Sequence, residues 1–112
     1  MKIAQSLVVA INVFPDVDIE NCLETMVESA SVMGATVLES AFYRNSDTEM
    51  AYVVLGESHM ALHVLRQHNF AVLNIMTCGS CDPEKGYEYL KEHLGFSDCG
   101  YNLSDIYFQE TR

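Results

Sequence analysis

Short segments in which apolar and polar residues alternate, joined by short polar turns, constrain the fold of this chain more than any other feature. Side chains alternate between the two faces of a β-strand. Residues 59–65 show this pattern well, with His59 and His63 on one face and Met60 and Leu62 on the other. The sequence predicts six strands, at residues 3–14, 36–43, 50–55, 59–65, 70–77 and 103–109. Because short turns join neighbouring antiparallel strands, the pattern favours an antiparallel sheet.

Two segments carry the spacing of amphipathic helices. Asp18 is placed to cap the first helix, and Gly34 is placed to end it. Pro83 suits the first turn of a second helix, which continues up to a predicted loop at residues 95–102. Strands that outnumber helices predict a single α+β domain over residues 1–112, an antiparallel sheet with the helices packed on one face.

The charge balance narrows the classes of partner. Six Lys and Arg residues stand against sixteen Asp and Glu residues, a net charge of −10. This argues against nucleic acid and anionic membranes, which are bound by basic clusters. A small cationic ligand suits the charge, although acidic surfaces also serve solubility alone. Residues 1–13 lack the features of a signal peptide, and no apolar run approaches the ~20 residues that span a bilayer. We therefore expect a cytoplasmic protein whose cysteines are thiols.

The tripeptide Glu57-Ser58-His59 is the strongest functional signal. A serine hydroxyl can attack the carbonyl carbon of the preceding residue, and the resulting ester can break by β-elimination. That reaction cuts the chain and leaves a ketone, a pyruvoyl group, at the new N-terminus. A ketone is an electrophile that no amino-acid side chain supplies. Taken alone, Ser58 is more simply an ordinary residue at the start of a strand, so the interpretation depends on its neighbours.

The neighbours of Ser58 match a known pattern. The segment GESHMALH at 56–63 is followed by FAVLNIMTCG at 70–79 and by Asp82-Pro83. Together with GATV at 34–37 and the helix pattern YEYLKEHL at 87–94, these segments resemble the prokaryotic S-adenosylmethionine decarboxylase proenzymes. The resemblance extends over nearly the whole chain.

The resemblance implies that the chain processes itself. Cleavage between Glu57 and Ser58 gives a β chain of residues 1–57 and an α chain of residues 58–112, and it converts Ser58 into the pyruvoyl cofactor. By the same resemblance, His63 takes the α-proton during the elimination. That role suits imidazole near neutral pH.

The resemblance also implies a small-molecule substrate and an assembly. The reaction is decarboxylation of S-adenosylmethionine for polyamine (spermidine) biosynthesis, with Cys78 protonating the substrate carbon after carbon dioxide leaves. Glu57, Asn45 and Gln67 stand at substrate-binding positions. Two protomers pair their sheets in an αββα homodimer with the sites near the interface, and no metal is implied.

Four positions depart from the family pattern. Asn45 stands where the family often has an aromatic residue that stacks on adenine, and Gln67 stands where it has a glutamate. A stacking contact of this kind is worth ~1–3 kcal/mol. Met50 occupies the position of a serine that assists processing, and Asn74 that of an aspartate. S-adenosylmethionine is the expected substrate; the alternatives are ornithine or arginine, or an unprocessed, non-catalytic homologue.

Two other interpretations of the cysteines stay open. Cys78-Gly79-Ser80-Cys81 has the spacing of a thioredoxin-like redox motif. The next helix, however, is predicted to start only near Pro83, and no thioredoxin-like βαβ pattern surrounds the motif. A zinc site has the right ligand types but only one C-x-x-C pair; its candidate ligands are Cys78, Cys81, His93 and Cys99.

Overall fold

The computed structural model describes residues 1–13 and 16–108, which form an antiparallel sheet of six strands and two α-helices. The elements in chain order are β1 (Lys2–Asn12), α1 (Ile19–Met33), β2 (Val37–Arg44), β3 (Thr48–Leu55), β4 (His59–Leu65), a 3₁₀ turn (Arg66–His68), β5 (Phe70–Cys78), α2 (Pro83–Leu94) and β6 (Ser97–Tyr107). The strand order is β2-β3-β4-β5-β1-β6, and every neighbouring pair is antiparallel. The predicted α+β class is confirmed.

Both helices begin and end where local chemistry dictates. The Asp18 carboxylate accepts a hydrogen bond from a backbone N–H in the first turn of α1, and Gly34 ends that helix with φ of 83°. Asp82 caps α2 in the same way, and Gly95 ends it with φ of 70°. Glycine adopts this left-handed conformation without the steric cost that a Cβ atom brings.

The core lies between the two helices and one face of the sheet. The strands contribute the alternate residues that the pattern predicts to face inward, and the helices contribute one apolar stripe each. Buried core residues include Leu7, Val9, Ile11, Cys22, Met26, Val53, Met60, Leu62, Leu73, Ile75 and Leu90. Burying one large aliphatic side chain stabilises the fold by ~1.5–3 kcal/mol.

The opposite face of the sheet carries no helix among the described residues. We call it the uncovered face; its centre is formed by Val8, Met50, His63, Asn74 and Met76, which are half-buried or exposed. Within the described parts of the chain, neither helix combines the length and the apolar character needed to cross a membrane.

Two predicted boundaries were wrong. The predicted loop at 95–102 is largely part of β6, because residues from Ser97 onward pair with β1 despite their polar sequence. The third strand starts at Thr48 rather than at residue 50, since the preceding turn needs only three residues. Two ends of the predicted strands, Phe14 and Gln109, lie outside the described residues.

Candidate active site

Ser58 lies in the link between β3 and β4, at one end of the sheet. The Leu55 N–H donates to the Ser58 carbonyl oxygen at 2.9 Å, which closes the hairpin. The Gly56 N–H donates to the Thr36 carbonyl oxygen at 3.1 Å and ties the link to the segment before β2. Gly56 and Glu57 are exposed and Ser58 is half-buried. Backbone hydrogen bonds of Leu55, Gly56 and Ser58 therefore hold the link on both sides of Glu57, while Glu57 itself is exposed to solvent.

Cys78, the last residue of β5, lies beside Ser58. Its backbone N–H donates to the Ser58 hydroxyl oxygen at 3.1 Å, although the two residues are 20 positions apart. The contact arises because β5 is antiparallel to β4, with His59 opposite Met76, so β5 ends where β4 begins. The structure thus brings together two of the predicted site residues: the serine of the predicted cleavage point and the cysteine predicted to donate a proton.

A cavity of about 200 Å³ adjoins this pair. It is lined by the link after α1, by the β3–β4 link and by two cysteines; the lining residues are Gly34, Ala35, Thr36, Leu55, Gly56, Glu57, Ser58, Cys78 and Cys81. Pockets that enclose a drug-sized ligand usually measure ~300–1,000 Å³. The cavity of this chain is therefore smaller than a typical pocket for a drug-sized ligand.

Three other predicted site residues lie elsewhere in the protomer. His63 is on β4, and four residues of strand separate it from His59 by about 13 Å along the strand. It is exposed on the uncovered face. Gln67 follows β4 in the 3₁₀ turn, and Asn45 lies in the β2–β3 turn. Thr48 pairs with Leu65 at that end of the sheet, so both turns lie at the end opposite Ser58.

Asn45 and Gln67 both make hydrogen bonds within the protein. The Asn45 side-chain oxygen accepts from the backbone N–H groups of Asp47 at 3.0 Å and Thr48 at 2.9 Å. Such a contact mimics a backbone turn and closes the hairpin. Gln67 donates to the Asp47 carboxylate at 3.2 Å. The two side chains therefore stabilise neighbouring turns in the protomer.

A polar network on the uncovered face was missed by the sequence reasoning. The Asn74 amide nitrogen donates to the Leu7 carbonyl oxygen at 3.1 Å and to the Ser6 hydroxyl at 3.3 Å. Its side-chain oxygen lies 3.0 Å from His59 Nε2. Because the amide orientation makes that oxygen an acceptor, His59 Nε2 is assigned as the donor. Strand alternation was the available signal, since it places His59 and Asn74 on the same face.

A buried carboxylate at the far end of the sheet was also missed. Glu49 accepts a hydrogen bond from Arg44 Nε at 2.7 Å and pairs with Arg66. Arg66 in turn donates to the Val17 carbonyl oxygen in the segment before α1. The hydrogen bond to Glu49 raises the pKa of Arg44 above its ordinary value. These contacts join β2, β3 and the 3₁₀ turn. In the sequence, the one local signal for this network was a charged residue at a position of β3 that faces the core.

The cysteines fall into different environments. Burial, and next the nearby Asp18, raises the pKa of the Cys22 thiol to about 11, so this thiol stays neutral in the core. Cys99 is exposed on β6, and His93 on α2 stacks on the ring of Tyr89. No three or more His, Cys, Asp or Glu side chains are grouped to hold a metal ion in the described regions. The zinc interpretation therefore gains no support.

The fold and the site define a class: a two-layer α+β protein with a serine and a cysteine paired at the end of its sheet. The family model described as S-adenosylmethionine decarboxylase matches residues 9–105. The chain belongs to the S-adenosylmethionine decarboxylase family.

Individual relatives agree with this assignment. The chain is 33% identical over 79 residues to the S-adenosylmethionine decarboxylase proenzyme of Geobacillus sp. WCH70, covering 70% of this chain and 64% of the relative. It is 37% identical over 86 residues to the proenzyme of Symbiobacterium thermophilum, covering 75% and 65%. The match therefore spans slightly less than two thirds of these relatives.

A solved structure shares the fold. The crystal structure of the adenosylmethionine decarboxylase from Aquifex aeolicus VF5 matches with a TM-score of 0.70, over 99% of this chain and 98% of that chain. The sequence identity is 22%, so this likeness concerns the fold.

Proposed function

We propose that this chain is a pyruvoyl-dependent decarboxylase of S-adenosylmethionine that matures by self-cleavage at Glu57-Ser58. The observation that carries the proposal is the 3.1 Å hydrogen bond from the Cys78 N–H to the Ser58 hydroxyl oxygen. Ser58, the proposed cleavage serine, and Cys78, the proposed proton donor, both line the same cavity. The relatives named as proenzymes support the same reading.

The residues around position 58 suit a pyruvoyl group. In the proposed cleavage, the Ser58 hydroxyl oxygen bonds to the Glu57 carbonyl carbon as the Glu57–Ser58 C–N bond breaks, which frees the Ser58 amine. Loss of the Ser58 α-proton then breaks the bond between Cβ and this oxygen, which leaves as part of the Glu57 carboxylate. Loss of the Ser58 amino nitrogen as ammonia, with oxygen supplied by water, completes the ketone. Once formed, the ketone supplies an electron sink for breaking the bond to the substrate carboxylate. The Leu55 N–H, which donates to the Ser58 carbonyl, holds this segment in place.

Cys78 is the proposed proton donor in this site. A thiol can be protonated at neutral pH and still release its proton readily. Cys78 is half-buried and lines the cavity, so it is accessible to a substrate and partly shielded from water. Glu57 lies at the same cavity and, as the new C-terminus after cleavage, would add negative charge that favours a sulfonium ligand.

We further propose that two protomers pair their uncovered faces. Val8 and Met50 are apolar, lie on this face, and are 41% and 38% exposed. A two-fold pairing would place the end of one sheet that carries Thr48 and Leu65 over the end of the other sheet that carries Ser58. His63 of each protomer, with the turns that contain Asn45 and Gln67, would then approach Ser58 of the other protomer. Such a shared site would also enlarge the 200 Å³ cavity.

The proposed cleaved product would remain one folded unit. β1 belongs to the fragment 1–57, yet it lies between β5 and β6 of the fragment 58–112. Native methods would therefore not separate the fragments. The free thiols favour a reducing compartment, the cytoplasm.

The decisive experiment is intact-mass measurement under denaturing conditions. The purified chain is expected to yield fragments 1–57 and 58–112, the latter with a ketone at its start, while Ser58→Ala stays whole. A wild-type chain that remains intact after prolonged incubation would overturn the enzyme proposal. With cleaved protein, carbon dioxide release is then measured from S-adenosylmethionine, ornithine, arginine and lysine. Release from a basic amino acid alone would overturn the proposed substrate.

A mixing experiment tests the shared site. His63→Ala expressed alone is expected to stay uncleaved. When it is co-expressed with Ser58→Ala, a mixed dimer pairs an intact Ser58 with an intact His63 of the other chain. The His63→Ala chain is then expected to cleave. If it stays whole while wild type cleaves, His63 does not act across the interface.

A further inference from the structure

We propose that Cys78 and Cys81 form a reversible disulfide, which makes the cavity a thiol modification site. The turn geometry and the shared cavity support the disulfide itself, independently of the proposed function. Its consequence, loss of decarboxylation, rests on the proposed function because it requires Cys78 as the proton donor.

The backbone between the two cysteines is compatible with a disulfide. Residues 79–80 form a turn directly after β5. In a β-turn, the first and fourth Cα atoms lie within roughly 7 Å of each other, and the Cα atoms of a disulfide are usually ~4.4–6.8 Å apart. Gly79, with φ of 68°, supplies the left-handed residue that this reversal of the chain needs.

Both thiols are accessible from the same cavity. Cys78 and Cys81 line it, and each is half-buried. The Cys81 sulfur is 3.5 Å from the Gly34 carbonyl oxygen, a weak contact to the wall formed by the end of α1. The other two cysteines differ: Cys22 is buried in the core, and Cys99 is exposed on the outermost strand β6. An intramolecular disulfide is therefore expected between Cys78 and Cys81, whereas the exposed Cys99 thiol, far along β1 from Cys78, can take up a glutathione adduct instead.

The chemistry balances with a small disulfide such as oxidised glutathione as the oxidant. The Cys78 thiolate attacks one sulfur of that disulfide and displaces the first glutathione thiolate. The Cys81 thiolate then attacks the Cys78 sulfur and displaces the second. Two protein thiols are oxidised and one small disulfide is reduced to two thiols. A reduced dithiol reverses both steps.

Thiol counting tests the site independently of activity. The full chain is incubated with oxidised glutathione, denatured, alkylated and weighed. The part of the chain from Ser58 onward contains three cysteines, Cys78, Cys81 and Cys99. Wild type is expected to carry neither an alkyl group nor glutathione on Cys78 and Cys81, as located by peptide mass, whatever the state of Cys99, and to carry three alkyl groups after reduction. Cys81→Ser is expected to retain glutathione on Cys78, because no thiol displaces it.

Two outcomes overturn the disulfide: a persistent glutathione adduct on Cys78 in wild type, or alkyl groups on both Cys78 and Cys81 after oxidation. Cys99→Ser is the matched control and must still form the bond. Decarboxylation of the oxidised wild type is expected to fall by ~100-fold, the lower range for losing a general acid, and to return on reduction. If the bond forms and activity persists, the proposed loss of decarboxylation on oxidation is wrong. If the bond forms in a chain that never cleaves or decarboxylates, the proposed function fails and the modification site stands.

Discussion

Replacing Glu49 with glutamine tests whether the buried carboxylate holds the far end of the sheet together. Its side chain is 6% exposed, whereas those of Arg66 and Arg44 are 28% and 50% exposed. Removing one partner of a buried ion pair costs ~3–5 kcal/mol, and a solvent-exposed pair is worth ~0.2–1 kcal/mol. Most of the loss should therefore arise through Arg66. Because Arg66 is only partly buried, we expect Glu49→Gln to lower the free energy of unfolding by ~2–4 kcal/mol.

The assay is urea unfolding followed by circular dichroism at pH 7. All variants carry Ser58→Ala, so that one uncleaved chain unfolds, and the protein concentration is held constant because association shifts apparent stability. Glu39→Gln is the matched control: Glu39 is exposed on the neighbouring strand, and within the described residues it accepts one hydrogen bond, from Tyr52 at 3.4 Å. Its effect should stay within ~0.5 kcal/mol. A loss in Glu49→Gln no larger than that of the control would refute the reasoning.

Three further predictions concern the core and the cavity. Burial raises the pKa of the Cys22 thiol from 9.0 to about 11 in the folded chain, so this thiol ionises first in the unfolded chain. Wild type should therefore lose stability as the pH rises from 9 through about 11. Cys22→Ala should reduce this loss in the free energy of unfolding by up to ~3 kcal/mol. Gly86→Ala should destabilise by ~1–2 kcal/mol, because a Cβ there would lie 2.7 Å from Met33 Cγ and overpacking outweighs the helix-propensity gain. Cys78→Ala should cleave yet lose far more decarboxylation than Cys81→Ser in reducing buffer.

Each of these has a contrary outcome. A Cys22→Ala profile parallel to wild type in pH-dependent urea unfolding would mean that the thiol is not desolvated. A neutral or stabilising Gly86→Ala, read from thermal unfolding, would mean that Met33 repacks without strain. Equal loss of carbon dioxide release in Cys78→Ala and Cys81→Ser would favour a redox role for the pair over proton donation.

The elements near Ser58 were predictable from the sequence, whereas the contacts between them were not. The tripeptide at 57–59 predicts the cleavage point, and the alternation in β4 identified which residues share a face with His63. The pairing of Cys78 with Ser58 depends on where β5 ends relative to β4. No local pattern encodes that register, since it results from burying the apolar face of both strands.

Local chemistry determined the helices of this protein from sequence alone. Asp18 and Gly34 make hydrogen bonds to residues within one or two helical turns, so the start and the end of α1 can be predicted without the rest of the molecule. Only the tertiary structure decided that the polar segment from Ser97 is a strand, because its backbone hydrogen bonds are made with β1. Likewise only the tertiary structure decided that Cys78 contacts Ser58 and that Glu49 pairs with Arg66. These contacts join residues that are 17 to about 100 positions apart in the chain. The burial of apolar side chains in the folded protein determines which of these residues meet, and the local propensity of a segment does not.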